Sequence, residues 1–105
     1  MRRSTAVESN SCHVVLNRAQ PQVEQVFANI QAALDALGEG WASVLSLTTC
    51  LTSRDSMPAF REVRQRLFAS YFPDGEYPAH TLLLVDGLGS PDHMVEIEAV
   101  IAHES

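Results

Sequence analysis

The sequence predicts an α+β domain, a mixed β-sheet with two helices packed on one face. Two stretches carry apolar residues at three- and four-residue steps, which is the spacing of a helix with one buried stripe. Four others are short apolar or β-branched runs bounded by turn residues, and the resulting order is strand, helix, strand, helix, strand, strand. Helices that each need cover on one side only, interleaved with strands, are satisfied by a two-layer arrangement around a single core.

Length and composition agree with one such unit. A chain of 105 residues buries roughly 65% of its unfolded surface on folding and leaves no room for a second domain. With 46% hydrophobic and 19% charged residues and no low-complexity tract, it belongs with globular rather than disordered chains. Residues 1–11 are polar and aperiodic and are expected to form a flexible N-terminus, with residues 12–105 as the domain.

Taken in order, Cys12-His13-Val14-Val15-Leu16 is the candidate first strand. Pro21 opens the first helix, where its missing N–H costs nothing, and Val23, Val26, Phe27, Ile30, Ala33, Leu34 and Leu37 form its apolar stripe before Gly38 stops it. Ser43 to Thr52 reads as a central strand, with Trp41 packed over its start. Ser53-Arg54-Asp55-Ser56 supplies capping groups, and Phe60, Val63, Leu67, Phe68 and Tyr71 make the second amphipathic helix. Phe72-Pro73-Asp74-Gly75-Glu76 is a turn. Two apolar strands follow, Tyr77 to Val85 and Met94 to Ala102, facing each other across the loop from Asp86 to His93. A sheet with helices on one face and apolar residues on the other exposes more apolar surface than a monomer tolerates, so the chain is expected to associate.

Several functions are disfavoured. The net charge is −6 and all seven basic residues are arginine, so no general nucleic-acid surface is expected; the single basic cluster, Arg61, Arg64 and Arg66, reads as a solvated helix face or an intersubunit ion-pair patch. Cys12 and Cys50 lack the spacing of a zinc or redox motif, and His13, His93 and His103 lack ligand spacing, so no metal and no cofactor is expected. No apolar run approaches a membrane span and the first residues lack a signal peptide's apolar stretch, which points to a reduced, cytoplasmic protein. Gly-x-Ser-x-Gly, phosphate-loop and His-Glu-x-x-His patterns are absent.

The last two strands each carry a group able to move a proton: His80 at the mouth of one, Glu96 and Glu98 on alternate positions of the other. Two residues apart, Glu96 and Glu98 share a face of their strand. Glu96 is the candidate for chemistry, and Glu98 is the candidate for a structural contact with an interface arginine.

These residues also carry a family resemblance. Tyr77-Pro78-Ala79-x-Thr81 and Val95-Glu96-Ile97-Glu98-Ala99, preceded by the helix, Thr-rich strand, helix and Phe-plus-turn, resemble the Rid family (YjgF/RidA, or L-PSP) from about Gln22 to Ala102. The resemblance implies a YjgF/chorismate-mutase-like fold and a homotrimer with a barrel-like core of packed sheets and a cleft at each subunit interface. It implies that Glu96 positions the water attacking an imine carbon, and that Ala79, His80 and Thr81 line the substrate. The chain departs from the family at three places. His80 stands where an Arg normally pairs with the substrate carboxylate, Arg61 stands where an Asn is common, and the longer N-terminal two-strand segment is missing.

An imidazole with a reference pKa of about 6.5 carries a fractional charge at neutral pH and lacks the two-point grip of a guanidinium. His80 is therefore either a proton-transfer partner of Glu96 on a substrate without a carboxylate, a protonated stand-in for the guanidinium, or a residue that only satisfies a hydrogen bond. The expected function is hydrolysis or tautomerisation of a small imine or enamine at an intersubunit cleft. The alternative is a non-enzymatic metabolite-binding or accessory protein using the same cleft. RNA cleavage, suggested by the family's older name, is disfavoured by the acidic balance.

Overall fold

The computed structural model describes residues 2–6 and 19–104, with side chains for the second range. Among the described residues four strands form one sheet, and two helices cover one of its faces. Strand β1 spans Arg2–Ala6, helix α1 Ala19–Leu37, β2 Val44–Leu51, α2 Met57–Tyr71, β3 Ala79–Leu84 and β4 Val95–Ile101. The mixed α+β architecture expected from the sequence is the one observed.

Helix α1 starts two residues before Pro21, which leaves the proline in the first turn where its N–H has no helical acceptor to lose. Its far end is closed by a Schellman motif: Gly38, at φ 72°, donates its N–H to the Asp35 carbonyl at 3.1 Å, and Glu39 donates to Leu34 at 2.9 Å. A single 3-10 turn at Arg54–Ser56, with the Ser53 hydroxyl accepting from the Asp55 N–H at 3.1 Å, leads into α2.

The sheet order is β1-β4-β2-β3. The two last strands therefore do not face each other, as their sequence had suggested. Strand β3 lies parallel to β2, with Leu47 opposite His80 and Thr49 opposite Leu82, because α2 carries the chain back to the same end of the sheet. Strand β4 takes the other side of β2, antiparallel, with Thr49 opposite Ile97 and Cys50 opposite Glu96. The 86–93 loop is long enough to cross over β2, which a tight hairpin could not do.

Strand β1 pairs antiparallel with β4, Arg2 opposite Ile101 and Ala6 opposite Ile97. Its ladder is made of backbone groups, so its polar sequence gave no strand signal. The candidate strand at Cys12–Leu16 lies outside the described residues.

The core sits between sheet and helices. Val95, Ile97, Ala99 and Ile101 from β4 and Leu47 and Leu51 from β2 meet Val23, Val26, Phe27, Ile30 and Leu34 from α1 and Phe60 and Val63 from α2, all buried. Trp41 is buried at one end, stacked on Tyr71 with ring centroids 3.8 Å apart and donating Nε1–H to Gln31 Oε1 at 2.6 Å. Among the described residues no helix is long and apolar enough to cross a membrane.

Candidate functional site

Strand β3 is a short edge strand, and its first residues set the site. Alternation sends successive side chains to opposite faces. Because His80 lies opposite the buried Leu47, it points to the helix layer, while Ala79 and Thr81 are exposed on the other side.

His80 is half-buried between strand β2 and helix α2. Its Nε2 is 2.9 Å from the hydroxyl of the buried Thr49, its Nδ1 is 3.4 Å from Arg64 Nη1, and its ring lies 5.8 Å from that of Phe60. A guanidinium can only donate, so His80 Nδ1 is the acceptor and carries no proton. The proton resides on Nε2, which donates to Thr49 Oγ1. Burial, reinforced by the Arg64 charge, pushes the His80 pKa below its ordinary value of 6.5. The ring is thereby placed as a hydrogen-bonding partner of both Thr49 and Arg64.

Helix α2 brings two arginines to the same place. Arg61, Arg64, Gln65, Phe68, Tyr77, Pro78 and His80 line a cleft of ≈ 470 Å³ beside α2. Arg64 lies over the Phe60 ring at 5.4 Å, where the ring's negative face holds it. Phe68 and the exposed Tyr77, with centroids 5.6 Å apart, form an aromatic wall. Arg66, the third of the cluster, instead forms an ion pair with Glu24 of α1.

Sequence reasoning grouped all three arginines as a solvated face or an ion-pair patch. The structure separates them, two into a cleft and one into a pair. A signal was available: Arg66 has Glu62 four residues before it on the helix, whereas Arg61 and Arg64 have no acid three or four residues away.

Glu96 and Glu98 lie elsewhere. Val95, Ile97, Ala99 and Ile101 are buried under the helices, so the intervening Glu96 and Glu98 occupy the open face of the sheet, half-buried. They share that face with Cys50, whose thiol is pushed up in pKa by burial, then by Glu96 and Glu98. Thr81 and Ala79 belong to this face too. Within one chain the structure therefore brings His80 together with Arg61 and Arg64, and does not bring it together with Glu96, Thr81 or Ala79. Among the described residues no carboxylate lines the cleft.

The remaining histidines have local roles or lie beyond description. His103 Nδ1 is 2.9 Å from Glu39 Oε2, and the backbone N–H of His93 donates to the Ser90 carbonyl at 3.1 Å; His13 is outside the described residues. Among the described residues no group of His, Cys, Asp and Glu is placed to hold a metal ion.

The family model for Endoribonuclease L-PSP matches residues 4–103. Among solved structures, an uncharacterized protein from Pseudomonas aeruginosa superposes with a TM-score of 0.79 at 26% identity, covering 96% of this chain and 80% of its own. A member of the YjgF protein family from Neisseria meningitidis gives a TM-score of 0.76 at 22% identity, covering 97% and 77%, a likeness of fold. RidA from an Antarctic Psychrobacter gives 0.63 at 30% identity, covering 75% of this chain and 59% of that one. No curated protein matches the sequence.

Proposed function

We infer function from one premise: this chain belongs to the Endoribonuclease L-PSP family, the YjgF or Rid family. On that premise we propose a Rid-type hydrolase that converts a small imine or enamine acid to an oxoacid and ammonia, in a cleft shared between copies of the chain. The observation that carries this reading is the cleft itself, where a fixed guanidinium, Arg64, stands beside the position from which the family's usual Arg is missing.

The chemistry divides between the two faces of the sheet. Arg64 binds the substrate carboxylate as a bidentate fork, and His80, neutral and held by Thr49, orients that fork. Glu96 takes a proton from water as it attacks the imine carbon, and returns it as the amine departs. Since Glu96 faces away from the cleft of its own chain, it serves the cleft of a neighbour. The open face has the surface for such packing, with Leu45 43% and Leu83 46% exposed. A homotrimer closing these faces into a barrel-like core is the assembly that fits.

RNA cleavage is the weaker reading of the family's name. Two arginines in a cleft on a chain of net charge −6 make no phosphate-tracking groove. A binding or accessory role is favoured by a specific observation: among the described residues, those lining the cleft include no carboxylate.

Ammonia and oxoacid release from freshly generated 2-aminoacrylate tests the hydrolase reading. Arg64→Gln and Glu96→Gln each abolish release, and mixing the two inactive proteins through dissociation and reassembly restores part of it, because some clefts then contain both native residues. No release from the native oligomer with this or any other imine decides for the binding role. Release without rescue on mixing places both residues in the site of one chain and refutes the shared cleft.

A further inference from the structure

We propose that the cleft takes a small dicarboxylate, with Arg64 on one carboxylate and Arg61 on the other. Under the hydrolase reading, on which this rests, the preferred substrate is the imine or enamine of an acidic amino acid.

Charge gives the first reason. Arg61 and Arg64 both line the cleft, and neither has an acidic partner among the described residues, while Arg66 on the next turn is neutralised by Glu24. His80 adds no negative charge, and the other lining residues, Gln65, Phe68, Tyr77 and Pro78, include no carboxylate. Two guanidiniums with no acidic partner among the described residues favour a ligand with two negative charges. A monocarboxylate accepts one bidentate fork and leaves the second cation unanswered.

Geometry gives the second. Residues three apart on a helix are neighbours, with roughly 5–6 Å between Cβ atoms, so the two forks lie side by side without converging on one centre. Arg64 is the fixed member, held by the Phe60 face and by His80 Nδ1. Arg61 is exposed at the rim. The fixed fork suits the carboxylate next to the reacting carbon, whose position must be exact, and the rim fork suits the one at the end of the side chain. Phe68, Tyr77 and Pro78 supply an apolar wall for the carbon skeleton between them.

The test is an NMR titration of the intact native protein, and of Arg61→Gln and Arg64→Gln, with succinate, butanoate and inorganic phosphate, following the His80 imidazole resonances. Succinate binds at least about tenfold more tightly than butanoate, the worth of one added charge-assisted contact. Arg61→Gln brings succinate to the butanoate level without changing butanoate affinity, and Arg64→Gln weakens both. Equal affinity for the two acids in the native protein, a preference that survives Arg61→Gln, or phosphate binding tighter than succinate would each overturn the proposal.

This outcome separates from that of the hydrolase reading. Ammonia release from 2-aminoacrylate with no succinate preference removes the dicarboxylate and leaves the hydrolase. A succinate preference that depends on Arg61, with no ammonia from any imine, removes the hydrolase and keeps the cleft as a dicarboxylate-binding site.

Discussion

The two faces of the sheet use the same strands for different ends. Toward the helices, Leu47, Thr49 and Leu51 of β2 and Val95, Ile97, Ala99 and Ile101 of β4 are all buried. On the open face Ser46, Thr48, Cys50, Glu96, Glu98 and Val100 are half-buried. Glu96 and Ile97 are adjacent in sequence, yet one side chain lies in the core and the other outside it. Alternation thus keeps the core and the proposed base, Glu96, on separate sides of a layer one backbone thick. Substitutions at neighbouring positions should then have unrelated consequences.

The sharpest way to break that comparison is to replace both neighbours separately. Ile97→Ala opens a cavity in the buried core and is expected to cost about 2–5 kcal/mol in urea unfolding. Glu96→Gln is expected to leave that unfolding within about 0.5 kcal/mol and to reduce turnover by about a hundredfold or more. Equal destabilisation by the two would mean that Glu96 is part of the core's support, and the division between faces would be lost.

How much of this was legible in the sequence depends on which physical signal an element carries. Both helices could be read because an apolar stripe at three- and four-residue steps fits a helix and does not fit the two-residue period of a strand. The alternation Val95-Glu96-Ile97-Glu98-Ala99 correctly put both carboxylates on one face. Which strands pair could not be read, since any of these apolar strands can complete any other's ladder, and the position of β3 beside β2 depends on the path of α2. The separation of His80 from Glu96 follows from that pairing, so it was hidden as well. Arg61 and Arg64 resembled a solvated helix face until the mouth of β3 arrived next to them with His80, Tyr77 and Pro78.

A smaller effect tests the helix side through pH. The His80 pKa is lowered in the fold, so the unfolded chain binds the extra proton first as pH falls. The stability contributed by neutral His80 is full above 6.5, its ordinary value, and is lost as pH falls toward the lowered folded value. Protonation also removes the Nδ1 acceptor and sets a second cation against Arg64. Acidification from pH 8 to pH 5.5 is therefore expected to lower both stability and carboxylate affinity, with His80→Gln flattening the affinity slope. Affinity that rises on acidification would instead show an imidazolium standing in for a guanidinium, and the neutral tautomer would be wrong.

The smallest effect lies at neither face. Glu39, just past the end of α1, accepts from the Ser43 hydroxyl at 2.6 Å and sits 2.9 Å from His103 Nδ1, while the Ala102 N–H donates to the Ser43 carbonyl at 2.8 Å. This clasp joins the helix end, the start of β2 and the residues after β4. The Ser43 hydrogen bond, then His103, holds the Glu39 carboxyl below its ordinary 4.5. A carboxylate lowered in this way stabilises the fold above 4.5, and that contribution disappears as pH falls through the lowered value. Glu39→Gln keeps the side-chain length and removes the charge, so a slightly lower Tm is expected at pH 7, with the difference from the native protein closing in acid. Because the clasp touches neither the cleft nor Glu96, turnover and succinate preference should be unchanged. If Glu39→Gln altered turnover as Glu96→Gln does, the open face would have to be responding to the end of the sheet, and its independence from the rest of the fold would fail.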